Sequence, residues 1–258
     1  MRKYFKIEVK EALGRIKNLK PGIISESDLS PLPVIVQKYL RNSHVMGKEK
    51  VVNFRVEMEG TMWSNPGEPG MKIKSVQYNC FEPYTRIFYI KAYKMGIPAV
   101  GLHLYKNEKA IMKIKLAGLF TLADARGPEM DQGETVTVFN DMCFMAPATL
   151  ISNDIRWEIL EPLVVKANFT NKSLKISAVL YFDEDGNLVN FISNDRFETK
   201  DGREYHNNPW LTPVKEFREI NGIRRPAVAK AIYMRPEGEF CYAEFVIKDI
   251  AYNYKEMI

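Results

Sequence analysis

The sequence predicts an α+β protein that is mainly antiparallel β: one long, strongly curved sheet, a half-open barrel, with an N-terminal and a central helix covering its concave side or an end. Three observations carry this. Helical spacing is confined to the first forty or so residues and to one stretch near the middle, while apolar residues elsewhere recur at every second position. Six tight-turn signals then follow one another in the second half. They lie too close together for the crossovers of a dozen or more residues that parallel strands require. No internal repeat, low-complexity tract or linker divides the chain, so residues 1–258 are read as one domain, with 1–22 as a basic leader helix and 23–258 as the curved-sheet body.

In the leader, Phe5, Val9, Ala12, Leu13, Ile16 and Leu19 recur at spacings of three and four and form one apolar stripe flanked by Lys and Arg. The segment "KPG" at 20–22 ends it. Such a stripe either packs on the protein's own sheet or lies on an anionic membrane surface. A second short helix is expected to follow "SDLSPLP", with Ser30 as N-cap and Pro31 at the first helical position. From residue 50 the period becomes two: Val52, Phe54, Val56 and Met58 alternate with Asn53, Arg55, Glu57 and Glu59. Further strands are expected around 72–81, 85–93 and 98–106, and in "KAIMKIKLAG", where Ala110, Met112, Ile114 and Leu116 share a face. Alternation stops in 131–152, read as a helix from the spacing of Phe139, Met142, Cys143 and Met145, although Thr135, Val136, Thr137 and Val138 favour strands. Thereafter "EP" at 161–162, "TNK" at 170–172, "DEDG" at 183–186, "KDG" at 200–202, "NG" at 221–222 and "RPEG" at 235–238 punctuate a meander.

Composition narrows the function. The chain carries 37 Lys and Arg against 32 Asp and Glu, a formal net charge of +5. Arg2, Lys3, Lys6, Lys10, Arg15, Lys17 and Lys20 in the leader oppose only Glu8 and Glu11, so the rest of the chain is close to neutral. A nucleic-acid groove, which needs cations distributed along a surface, is not indicated. Cys80, Cys143 and Cys241 are far apart among apolar neighbours, which excludes a CxxC site and a disulfide framework on spacing. His44, His103 and His206 are isolated, so no metal site follows from known patterns, and no GxSxG, P-loop or GxGxxG occurs to imply a cofactor. The opening lacks an apolar signal core, so the expectation is a soluble, cytoplasmic chain, peripheral to a membrane if the leader binds one.

The acidic stretch "YFDEDGNLVNFISNDR" is read as a hairpin tip and not as a calcium loop, because strands flank it where that motif needs helices. If the following strand keeps its phase, Ser193 and Asp195 point the same way as Val189, Phe191 and Phe197, towards the inner face; Asp249 likewise follows Cys241, Ala243, Phe245 and Ile247. The alternatives are a bulge that flips the phase, or an Arg that pairs with these acids structurally. Trp63, Trp157 and Trp210, with Tyr78 of "VQYNC", are candidates to line an apolar pocket. Asp141 and Asp195, with Arg126 as electrostatic partner, would be the carboxylates of an acid–base enzyme.

Six segments in order, "LSPLPVIVQKYL", "VQYNCFEPYTRIFYIKA", "GLFTLADARGPEMDQGE", "NDMCFMAPATLI", "YFDEDGNLVNFISNDR" and "NPW", resemble an uncharacterised bacterial family known only as a domain of unknown function. The resemblance runs from about residue 28 to the C-terminus and implies no activity. Relatives often carry an Arg-containing helix ahead of the "AP" segment, where this chain has Thr137, Val138 and Phe139. The order of strands, central helix and strands is also similar to that of periplasmic lipoprotein carriers, whose unclosed barrels hold acyl chains under a helical lid. The expectation is therefore a binding protein for a lipid or other apolar ligand in the hollow of the sheet. Its ligand-binding candidates are Trp63, Tyr78, Arg126, Asp141, Trp157, Asp195, Trp210 and Asp249. An acid–base hydrolase and a structural or interaction module are the alternatives.

Overall fold

The period-two runs become strands and the turn signals the corners between them. A computed structural model describes residues 1–94 and 96–255. In order, it contains α1 (Arg2–Ile16), α2 (Glu26–Leu29), α3 (Val34–Asn42), β1 (Asn53–Met62), β2 (Met71–Phe81), β3 (Tyr84–Lys94), β4 (Ile97–Lys106), β5 (Lys109–Leu116) and β6 (Phe120–Ala125). Then follow α4 (Pro128–Met145), a 3-10 turn at Pro147–Leu150, β7 (Ile155–Glu161), β8 (Val164–Asn171), β9 (Leu174–Phe182), β10 (Leu188–Ser193), β11 (Trp210–Leu211), β12 (Val214–Ile220), β13 (Ile223–Arg235) and β14 (Gly238–Tyr252).

All of these strands join one antiparallel sheet in the order β6-β5-β4-β3-β2-β1-β14-β13-β11-β10-β9-β8-β7, with β12 beside the first part of β13. The two halves meet where β1 pairs β14, from Phe54↔Tyr252 to Met62↔Ala243. Gly60 makes this approach possible, since a Cβ there would lie 1.9 Å from the Glu244 carbonyl oxygen. The sheet curls until the β4–β5 hairpin reaches the β8–β9 hairpin. There Glu108 accepts hydrogen bonds from the Ser173 amide at 2.8 Å and hydroxyl at 2.6 Å, and Asn171 donates to the Tyr105 hydroxyl at 2.7 Å.

Both faces of the first half are covered, and residue parity decides which side chain meets which helix. On β2, Ile73, Gln77 and Asn79 point inward; Tyr78 and Cys80 point outward. The outward set, with Ile87, Tyr89, Leu102 and Leu104, receives the apolar stripe of α1: Phe5, Val9, Ala12, Leu13 and Ile16 are all buried there. Phe5 lies 5.1 Å from the Tyr89 ring and 6.0 Å from that of Tyr78. Each large side chain so buried contributes about 1.5–3 kcal/mol. The stripe thus packs on the protein's own sheet, and a membrane-inserted leader would have to give that packing up. The cationic face of α1 (Arg2, Lys3, Lys6 and Lys10) stays exposed.

Three expectations change and one strand is added. Ser30 closes α2 and caps no helix start; α3 begins at Val34, after Pro33. The second proline disfavours helical backbone at Leu32, so a helix opened at Pro31 could not continue. Ser25 and Asp28 form the capping box instead, with the Ser25 amide 2.8 Å from Asp28 Oδ2. Strand β6 forms from "FTLADA", which has no alternation to signal it. The "KDG" turn sits in an irregular loop closed by the isolated bridge Glu198↔His206, and not at a hairpin corner. Finally, bulges break the phase of two strands. In β10 the register slips between Leu188 and Asn190, so Leu188, and not Val189, is buried with Phe191. In β14 a slip opposite Glu57 and Met58 makes Lys248 the extra residue and turns Asp249 outward. "DEDG" is a turn: Asp183 accepts from the Asn187 amide and side chain, both at 2.8 Å, while the Glu184 and Asp185 carbonyls accept from Lys38 and Asn42 of α3, both at 2.6 Å.

Candidate functional site

The hollow of the half-barrel is occupied by α4. Gly127 with φ 111° and Pro128 at the first turn start this helix, Glu129 and Asp131 sit at its positive end, and Pro147 follows its last residues. The Thr-Val-Thr-Val run adopts helix because tertiary burial overrides propensity. The Thr135 and Thr137 hydroxyls turn back to the Asp131 and Gly133 carbonyls at 2.8 and 3.0 Å. Fourteen residues of α4 are buried. A helix covered on all sides and rich in polar groups must satisfy each of them internally.

It does so unequally on its two sides. Towards β2–β5 the contacts are charged. Arg86 donates from Nε to Asp141 Oδ2 at 2.8 Å, from Nη1 to Glu134 Oε2 at 3.1 Å and from Nη2 to Gln77 Oε1 at 3.1 Å. Gln77 and Asn79 also donate to Asp141 Oδ2, at 2.7 and 3.0 Å. His103 Nδ1 lies 3.4 Å from Glu134 Oε1. Asp131 accepts from the Ala110 amide at 2.7 Å and from Lys109 at 2.8 Å. The Arg86, Glu134 and Asp141 side chains are each less than a tenth exposed.

One guanidinium thus serves two buried carboxylates. Burial pushes the Glu134 carboxyl up, but Arg86, His103 and Arg196 outweigh it and hold the group down to about 2. For Asp141 burial prevails: its pKa is raised, with Arg86 and Asn79 opposing and the Glu134 charge reinforcing the shift. Such a cluster is costly to assemble and costly to break, since removing one partner strands the others.

Towards β8–β11 the contacts are mainly apolar, and the charged groups that meet the helix on this side are Arg196 and Asp195, just beyond β10. Phe139 stacks on Phe169 at 5.2 Å with an interplanar angle of 11° and meets Phe191 at 5.8 Å. Ala167, Ile176, Ala178 and Leu180 belong to the same core. The polar contacts here are few: Asn140 to Thr212 at 2.6 Å, Arg196 Nε to Thr137 at 3.1 Å and Gln132 to Asp195 at 3.5 Å. Arg196 lies over the Trp210 ring, 4.5 Å from its centroid, and hydrogen-bonds the Tyr233 hydroxyl.

Two solvent-open clefts flank this core. One, of about 670 Å³, is lined chiefly by polar groups, among them Asp154, Arg156, Asn168, Lys175, Ser177 and Asp195. The other, of about 540 Å³, lies between the segment after α1 and the 3-10 turn, and shares Asn153 and Asp154 with the first. Among the described residues, no group of three or more His, Cys, Asp or Glu is placed to hold a metal ion.

The predicted site residues are dispersed. Asp141 is in the buried cluster. Asp195 lies beyond the end of β10 at the rim, where Oδ2 accepts from the Ser177 amide at 2.6 Å. Gln132, the α4 partner of Asp195, and Asp141 are separated by nine residues of helix, about 13 Å of rise. The two carboxylates therefore do not form one centre. Arg126 is exposed and pairs with Asp124 at 3.1 Å. Trp210 is buried beneath Arg196, with its indole N–H donating to the Tyr242 hydroxyl at 3.1 Å. Trp63 is half-buried after β1 against Gly70. Trp157 is half-buried on β7 with its indole nitrogen lacking a partner among the described residues. Tyr78 lies on the outer face under α1, and Asp249 is exposed 3.8 Å from Arg55, so neither faces the hollow.

Sequence reasoning missed Gln77, Asn79, Arg86, His103 and Glu134. A signal was present: Gln77 and Asn79 alternate on one strand, Arg86 follows on the next, and Asp131, Glu134 and Asp141 recur at helical spacing.

The fold can be set beside solved structures. A putative outer membrane lipoprotein-sorting protein domain from Vibrio parahaemolyticus aligns with a TM-score of 0.45 at 9% identity, covering 79% of this chain and 86% of that one. A DUF1329 family protein from Desulfovibrio piger aligns with a TM-score of 0.38 at 11% identity, covering 86% and 93% respectively. Among curated proteins the sequence has no match. A family model matches residues 22–245, the span that holds the curled sheet, α4 and the buried cluster, and the chain therefore belongs to the Family of unknown function (DUF6544).

Proposed function

We propose that the protein is a non-enzymatic binder of an apolar, lipid-class ligand, taken up between α4 and the β8–β10 wall of the half-barrel. The observation that supports this reading is the inequality of the two sides of α4. Charge-assisted bonds, roughly twice as strong as neutral ones, fix the helix to β2–β5 through Arg86, Asp131, Glu134 and Asp141. The other wall meets the helix chiefly through the stacked and apolar contacts of Phe139, with Arg196 to Thr137 and Gln132 to Asp195 as the polar ties beyond β10. When the sheet opens, the seam that parts is the apolar one, and the groove it uncovers is lined by Phe139, Phe169, Ile176, Ala178, Leu180 and Phe191. An acyl chain in that groove would replace the contacts the helix gives up, at about 0.8 kcal/mol per buried methylene.

Native mass spectrometry of protein purified without detergent, with a titration by a dansyl-labelled fatty acid, tests the proposal. A co-purifying species of lipid mass that the labelled acid displaces supports it. A ligand-free protein that gives no saturable signal with the labelled acid removes it.

A further inference from the structure

The outer face of the first half carries a second feature, beyond the end of α1 and remote from the seam. The segments 71–75, 91–94 and 113–122 contain six Lys and no Asp or Glu. Strand pairing brings them together. Lys74 sits opposite Lys91, Lys91 opposite Val100, and Val100 opposite Lys115, so one row across four strands presents three cations on a single face. In the next row Lys72 is paired with Tyr93. Lys74 is partnered by Glu59 at 2.9 Å and Lys113 by Asp124 at 2.8 Å; among the described residues neither Lys91 nor Lys115 forms a carboxylate pair.

Beyond this row, along the strands, the β3–β4 and β5–β6 corners lie side by side, tied by the Ala117 amide to the Pro98 carbonyl at 2.7 Å. They expose large apolar side chains: Tyr93 at 52%, Ile97 at 48%, Leu119 at 76%, Phe120 at 67% and Leu122 at 52% of full accessibility. β6 is also an edge strand, so nothing in the sheet covers it. Apolar residues at hairpin tips with a collar of Lys behind them, next to the exposed cationic face of α1, fit a surface that is negatively charged and has an apolar interior. A second copy fits poorly, because a two-fold contact through this patch would set its cations against the same cations of the other copy.

We propose that this face docks the protein on an anionic lipid bilayer, with the β3–β4 and β5–β6 tips entering the interface and the Lys row lying over the headgroups. The contact is made by the sheet and its corners; the apolar stripe of α1 stays where it is packed. The proposal does not depend on the ligand seat between α4 and β8–β10.

Vesicle flotation tests it, with phosphatidylcholine alone and with phosphatidylserine added, using the wild type, Lys91→Glu/Lys115→Glu and Leu119→Ser/Phe120→Ser. Each unit of charge near such a surface changes binding about fivefold. The double reversal, a change of four units, should therefore weaken binding by more than about a hundredfold. The Leu119→Ser/Phe120→Ser protein should keep a salt-sensitive remnant, and both variants should melt as the wild type does. No flotation, equal flotation with both lipids, or variants that float like the wild type overturns the proposal. So does a concentration-dependent dimer that Leu119→Ser/Phe120→Ser abolishes, which would assign the patch to a second copy.

Discussion

Replacing Arg86 by Met removes the single cation that Glu134 and Asp141 share while keeping most of the side-chain volume in the hollow. Breaking a buried pair by removing one partner costs about 3–5 kcal/mol, and here two carboxylates, each less than a tenth exposed, lose their guanidinium together. With an unfolding entropy of roughly 0.5 kcal/mol/K for a chain of this length, the melting temperature should fall by about 6–9 °C near neutral pH. The effect must also depend on pH. In the wild type Glu134 is held down to about 2, below the value it has in the unfolded chain. It therefore contributes stability that is fully present above the unfolded value and lost as pH falls through the folded one. Arg86→Met forfeits that contribution, so the gap between variant and wild type should be widest above about pH 5 and close as the carboxyls protonate on acidification. Thermal unfolding followed by circular dichroism across that range measures it. The triple variant Arg86→Met/Glu134→Gln/Asp141→Asn, with no charge left to strand, should recover most of the loss. A drop of less than about 2 °C near pH 7, or a triple variant no better than the single one, would refute the reasoning.

Three further outcomes follow from the same geometry. Asp141, whose pKa is raised by burial, is stabilising only below its unfolded value and a burden above it; near neutral pH Asp141→Asn should thus cost less than Glu134→Gln in the same melting assay. Phe139→Ala removes a ring stacked on Phe169 and should destabilise by about 3–5 kcal/mol, read by chemical denaturation; a cost below about 1 kcal/mol would mean the seam is not tightly packed. Trp157→Phe deletes an indole N–H buried without a partner among the described residues and should leave stability unchanged or raise it by about 1–2 kcal/mol, whereas a clear loss would show that the N–H has an acceptor.

How much of this was legible depends on whether the backbone kept phase. β1 to β5 could be read because each keeps a strict period of two, and their corners and edges fell close to the predicted limits. For Val189 and Asp249 the alternative of a phase-flipping bulge is the one the structure shows, and its position was not legible because a bulge inserts one residue without any residue type that announces it. Burial was the harder inference. Gln77, Asn79 and Arg86 look like the wet side of two strands, yet all are buried, because α4 brings a matching polar side to them. Polarity along a strand shows what a face can bind; solvent exposure is decided by which element lands on it. The expected apolar hollow was similarly half right: its β8–β10 side is apolar, its β2–β4 side is an ion network, and the helix between them fills it.

The central claim is that the apolar seam between α4 and β8–β10 is the ligand seat. Methyl-resolved NMR with a spin-labelled stearic acid tests it most directly. The account predicts that the label broadens the methyls of Ala167, Ile176, Ala178 and Leu180 while those of Ile73 and Met112 on the opposite wall keep their intensity. Broadening of the opposite wall alone, or of surface methyls with the seam untouched, would contradict it.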